Sequence, residues 1–158
     1  MKKSVLFVLS GLCVLAVVCM VLALCLGKKE PQFVPPPFEE NACAGVPQPG
    51  EDTGYAQMDA KAFRFSAAGE LTAENGEVAL WLTNPQENSV WLKVRIYDAA
   101  GALLGESGLL RPGEYVRAVR LSTVPQKTTE VTLKVMAYEP QSYCSAGAAT
   151  MKTVLKVL

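Results

Sequence analysis

The chain has 158 residues, half of them apolar, with 15 Lys and Arg against 15 Asp and Glu and no histidine. The missing imidazole excludes Ser-His-Asp and Cys-His catalysis and histidine zinc sites. The balanced charge lacks the basic excess with which a nucleic-acid-binding domain neutralises phosphates.

The first predicted element is the apolar run Ser4 to Leu26, uncharged between Lys3 and Lys28. As a helix, about 23 residues cover roughly 34 Å, enough to cross bilayer hydrocarbon. Lys2 and Lys3 weight its start towards the cytoplasm, so everything after Gly27 is expected outside. The expectation is a single-pass signal-anchor in the cell membrane, residues 1–29, with the C-terminal domain extracytoplasmic. A cleaved signal would be shorter and end at a small-x-small site. The junctions Ala23-Leu24-Cys25 and Cys25-Leu26-Gly27 lack Ala-x-Ala. A lipoprotein needs a small residue before its cysteine, whereas Cys13, Cys19 and Cys25 follow Leu12, Val18 and Leu24. They read as small apolar fillers. No acid falls within the run, unlike a pilin-type leader.

Residues 30–54 hold Pro31, Pro35, Pro36, Pro37, Pro47 and Pro49, which exclude helix and central strand. They are expected to form an extended stalk, in which about 20 residues reach roughly 60 Å. A ligand for a polyproline-binding groove is the sharper alternative, although Pro35-Pro36-Pro37 has no P-x-x-P frame. Glu39 and Glu40 read as solvated stalk charges. Beyond the membrane-flanking lysines, 11 basic residues face 15 acidic ones, a net −4 that disfavours nucleic acid and anionic lipid.

Residues 55–158 have the length of one small domain. Val78, Leu80 and Leu82 alternate with polar or outward positions, as do Val90, Leu92, Val94 and Ile96, and Val131, Leu133, Val135 and Ala137. Period two predicts strands with one buried face. The expected strands are Ala62 to Ser66, Glu70 to Ala73, Glu77 to Asn84, Ser89 to Asp98, Ala102 to Glu106, Glu114 to Ser122, Glu130 to Glu139 and Ala149 to Val157. Asn75-Gly76 is a two-residue hairpin signal, Asp98 to Gly101 fits a type I turn, and Pro112-Gly113 a type II turn. About seven short strands at such intervals predict an all-β, antiparallel two-sheet sandwich. Strict alternation places Trp81 and Trp91 opposite the aliphatic face, as edge packing or as contact residues.

Three runs carry a resemblance: Leu82-Thr83-Asn84-Pro85-Gln86-Glu87-Asn88, Asp98 with Gly101, and Ser107-Gly108-Leu109-Leu110-Arg111-Pro112-Gly113-Glu114. With the N-terminal anchor, the stretch from Ala62 to Leu158 resembles small single-pass, membrane-anchored, immunoglobulin-like surface domain proteins of Gram-positive bacteria, some encoded on mobile elements. The resemblance implies an immunoglobulin-like sandwich and says little about activity. It departs at Lys127-Thr128-Thr129-Glu130, where such domains often carry Gly-x-Tyr.

Cys43 and Cys144 are the two cysteines beyond the apolar run. An exported location permits a disulfide between them, closing a loop of about 100 residues and contributing up to roughly 4–5 kcal/mol. Free or intermolecular thiols are the alternative. Asp52 and Asp59 lack calcium-loop spacing, and no helix follows Gly101, Gly105 or Gly108 to make a phosphate loop. No cofactor or metal is expected, and no enzyme. The reading is a membrane-anchored binding module for a protein or cell-envelope polymer, without nucleic acid. Its contact candidates are Gln86, Glu87 and Asn88 in one loop, Gln141 and Tyr143 in another, and Trp81, Trp91, Arg95 and Tyr97 on the polar strand face. The alternative is a structural subunit of a cell-envelope or conjugative assembly.

Overall fold

The computed structural model describes Val17, Val18, Met20 and residues 33–158. The predicted anchor lies outside the described residues except for those three, which are helical. Among the described residues no helix is long and apolar enough to cross a membrane. The chain divides into two compact units, Met1–Val34 and Pro35–Leu158, and every strand among the described residues belongs to the second.

Ten strands follow in order: β1 (Cys43–Ala44), β2 (Ala56–Asp59), β3 (Arg64–Ala67), β4 (Leu71–Glu74), β5 (Glu77–Asn84), β6 (Trp91–Asp98), β7 (Leu103–Glu106), β8 (Glu114–Arg120), β9 (Thr129–Tyr138) and β10 (Ser145–Val157). The period-two residues set these elements because alternate side chains leave opposite faces of a pleated strand. Leu92, Val94 and Ile96 of β6 and Val131, Leu133, Val135 and Ala137 of β9 are buried in one core with Val78, Leu80 and Leu82 of β5. The sheet order is β1-β8-β5-β4-β10-β9-β6-β7, with β3 on β5 and β2 on β3. All pairs are antiparallel except β10 with β4. The sheet curls until its ends approach: Gly105 of β7 bridges Leu121 just after β8, and the Ser122 amide donates to Leu104 O at 2.7 Å.

The turns take the geometry their residues favour. Asn75 and Gly76 have φ of 53° and 81°, the two positive values of a type I′ hairpin, joining β4 to β5. Asp98 Oδ1 accepts the amides of Ala100 at 2.9 Å and Ala102 at 2.7 Å. The Glu114 amide donates to Arg111 O across Pro112-Gly113.

Three features differ from expectation. The strands among the described residues form one curled ten-stranded sheet with a parallel pair, β10 with β4, in place of two antiparallel sheets of about seven strands. Strands β1 and β2 are additional, and β10 begins at Ser145, four residues before the predicted Ala149. The second part of the predicted stalk, from Pro35 to Gly54, belongs to the strand-bearing unit and lies against it. Phe38 bridges Leu109 in parallel, and Cys43 and Ala44 pair with Tyr115 and Glu114. Prolines deny this segment a central strand, but they leave it free to lie extended along an edge.

Candidate functional site

The segment Pro35–Ala44, hereafter the strap, runs beside the chain from Gly108 to Tyr115. The Leu109 amide donates to Pro37 O and the Glu39 amide to Leu109 O, each at 2.9 Å. Glu39 is not the solvated stalk charge its position predicts: its Oε2 accepts the Gly108 amide at 2.6 Å, while Glu40 is exposed. Phe38 lies half-buried between two groups: the Trp91 ring meets it edge-on at 4.8 Å, and the Arg111 guanidinium carbon stands 3.7 Å from its centre. Tyr143 meets Trp91 at 5.2 Å and 61°. Arg111, Phe38, Trp91 and Tyr143 thus form one aromatic and cationic row. Quadrupole geometry favours these edge and cation contacts.

From Trp91 the outward face of β6 continues through Lys93, Arg95 and Tyr97. Glu106 of β7 binds two of them, Lys93 Nζ at 3.0 Å and Arg95 Nε at 2.8 Å. Lys93 is 5% exposed, and Glu106 supplies the counter-charge beside its buried ammonium. Burial pushes the Glu106 carboxyl up, but hydrogen bonds from Lys93 and Arg95 outweigh it and hold the group below its ordinary value. The same bond to Glu106, with Tyr97 adding to it, raises Arg95.

Trp81 stands apart on β5. Between Ala79 and Leu82, paired with Ala118 and Val116, β5 carries one more residue than β8, and Trp81 adopts φ 52° within this bulge. A bulky residue there costs of order 1–3 kcal/mol. Its ring stacks on Tyr115 at 6.2 Å and 21°, with the Arg117 guanidinium 5.0 Å from its centre. A groove of about 550 Å³ beside it is lined by Glu39, Asn41, Glu106, Arg117 and Arg120. A second groove, about 730 Å³, lies between Gly45–Pro47, Tyr55–Gln57 and the turns carrying Pro85 and Pro112.

The predicted contact residues therefore divide. Trp91 and Tyr143 meet, Arg95 and Tyr97 lie on the same strand, and Trp81 belongs to the other groove. Gln86, Glu87 and Gln141 are exposed at loop tips. Asn88 is instead a structural clamp: its Nδ2 donates to Arg64 O at 2.6 Å and Asn84 Oδ1 at 2.7 Å, and its Oδ1 accepts the Arg64 amide. Cys43 and Cys144 are both exposed and unbridged. Among the described residues no group of three or more Cys, Asp or Glu side chains is placed to hold a metal ion.

Sequence reasoning passed over Phe38, Gly108 and Arg111 at the strap, and Tyr115 and Arg117 beside Trp81. The readable signal was Phe38 itself, a large apolar side chain directly after three prolines in a segment otherwise suited to solvent. No protein-family model matches the chain, and no curated protein matches it.

Proposed function

We propose that this chain is a membrane-anchored extracytoplasmic interaction module, in which an immunoglobulin-like sandwich contacts a protein or cell-envelope polymer without catalysing a reaction. The strand order supports the fold reading. In that reading β4, β5 and β8 correspond to strands A, B and E, β6, β9 and β10 to C, F and G, and β7 to a strand beside C. Parallel pairing of β4 with β10 joins the two layers.

The observation that carries the interaction reading is the half-buried row on β6, with Trp91, Arg95 and Tyr97 beside Tyr143. Aromatic side chains lose little entropy on contact and bury large areas, and arginine joins them among the commonest interface anchors. The uncharged run from Ser4 to Leu26 after Lys2 and Lys3 supports the location.

Protease shaving of intact cells carrying a C-terminal epitope tag tests the location. A membrane-bound tag that disappears on shaving is expected; a tag in the medium, or one protected from protease, overturns it. Capture of surface proteins or envelope polymer by the full chain, lost in Arg95→Ala/Tyr97→Ala, tests the contact face. The second reading is a structural subunit of an envelope or conjugative assembly. It is favoured by the outer edge of β2, which has no strand partner among the described residues. A stoichiometric complex on purification would support that reading instead.

A further inference from the structure

We propose that the seat of the strap is a peptide-binding site, and that its second occupant is the Pro35–Ala44 strap of another copy of this chain, so that two protomers exchange straps. This inference goes beyond the proposed function and requires neither the anchor nor an outside partner. The seat has the parts of an extended-peptide site. Leu109 supplies a backbone donor and a backbone acceptor, to Pro37 O and from the Glu39 amide. Trp91 and Arg111 hold the Phe38 ring, and the Gly108 amide takes the Glu39 carboxylate. The segment so recognised is Pro-Pro-Pro-Phe-Glu, whose extended geometry is largely fixed before binding.

Gly108 shapes the seat. A Cβ there would lie 2.6 Å from Glu39 Cα and from the Phe38 carbonyl carbon, and closer still to the Glu39 amide nitrogen. The strap backbone thus occupies the space of a side chain. The three nearest atoms all belong to the strap, so a larger residue at 108 meets the strap first.

The connection to the domain permits exchange. Gly45 is fixed by its amide to Gly113 O, and Thr53 O accepts the amides of Gly69 and Glu70. Between them, residues 46–52 make only the local bonds from Thr53 to Gly50 O. Val46 is 88% exposed there, whereas Pro47 is buried, so the free part of the connection is 48–52. Five residues extend to about 17 Å, the reach the connection offers for carrying the strap towards the seat of an adjacent copy. Because the bonds broken in one protomer are remade in the other, local concentration decides which arrangement dominates.

Two full-length variants carrying different tags test this. Gly108→Val keeps a strap but obstructs its seat; Phe38→Ala/Glu39→Gln keeps a seat but removes the anchor and carboxylate of its strap. Each is mixed in detergent with itself and with the other, one tag is captured, and the second tag is measured. Co-capture is expected to rise several-fold in the mixed pair over either self-mixture, and to be lost when excess peptide of sequence Pro35–Ala42 is added. Equal co-capture in all three mixtures, or persistence of the mixed complex in excess peptide, overturns the proposal. Wild-type circular dichroism of both variants is the control. Gly108→Ala replaces the valine variant if that one fails to fold, with the same two outcomes decisive.

Discussion

The loop after β5 and the strap are both held by hydrogen bonds of ordinary length, yet they are built to opposite ends. The loop is fixed from inside. Asn84 is fully buried, donates from Nδ2 to Val90 O and Leu110 O at 2.9 Å each, and accepts from Asn88, which in turn spans to Arg64. The strap is fixed from outside, through Phe38 and Glu39 at half-buried positions. In a dry interior an unmade hydrogen bond has no water to replace it; at a wetted edge it has. One connection is therefore locked and the other releasable, although distances alone do not tell them apart.

The largest effect is expected at Asn84. Asn84→Ala leaves the Val90 carbonyl without its side-chain partner and frees the Asn88 amide, and is expected to cost roughly 2–4 kcal/mol. The urea midpoint should fall with little change in slope; a loss below about 1 kcal/mol would place the loop in the same class as the strap.

Next in size is Glu106→Gln, which leaves the buried Lys93 ammonium without its counter-charge and is expected to cost about 1–3 kcal/mol at neutral pH. Because the folded state holds Glu106 below its ordinary value, its contribution is present above the ordinary carboxylate range and is lost as pH falls through the lowered folded value. The difference between wild type and Glu106→Gln should accordingly narrow in acid. A gap that stays constant from pH 7 to pH 2 would show that charge is not its source.

Phe38→Ala should cost only about 1 kcal/mol, the worth of one aromatic pair and one cation–π contact. Its larger effect is local: amide exchange at Glu39, Gly45 and Leu109 should accelerate while Leu92 and Val94 stay protected. Loss of protection across the whole sheet would mean that the strap belongs to the core. The smallest effect is expected at Trp81. Trp81→Asn relieves a bulky residue at positive φ but removes the Tyr115 stack, so the net change should fall within about 1 kcal/mol. A larger loss would show that the ring carries more of the β5–β8 contact than its half-buried position implies.

Much of the strand map was legible. β5 has the bounds its alternation predicts, and β6, β8 and β9 agree within two residues at each end. The Asn75-Gly76, Asp98–Gly101 and Pro112-Gly113 turns were legible because a positive φ or an Asx bond is a demand on a few adjacent residues. β1 was not, since two residues form no period and pair only because Glu114 and Tyr115 offer an edge. The candidate surface was read in part: Trp91 and Tyr143 do meet, whereas the clamp role of Asn88 was invisible without knowing that Arg64 lies against it.

That the domain is all-β, which side chains of its long strands face inward, and where its tight turns fall are all readable from residue order. These follow from sterics and burial patterns within a few residues. Long-range packing instead sets that β4 pairs with β10, that Gly105 meets Leu121 to curl the sheet, and that a proline-rich segment lies on the domain rather than away from it. Those outcomes depend on which distant edges come together, and on whether a Phe38 ring finds Trp91 and Arg111 waiting for it; no local pattern contains that information.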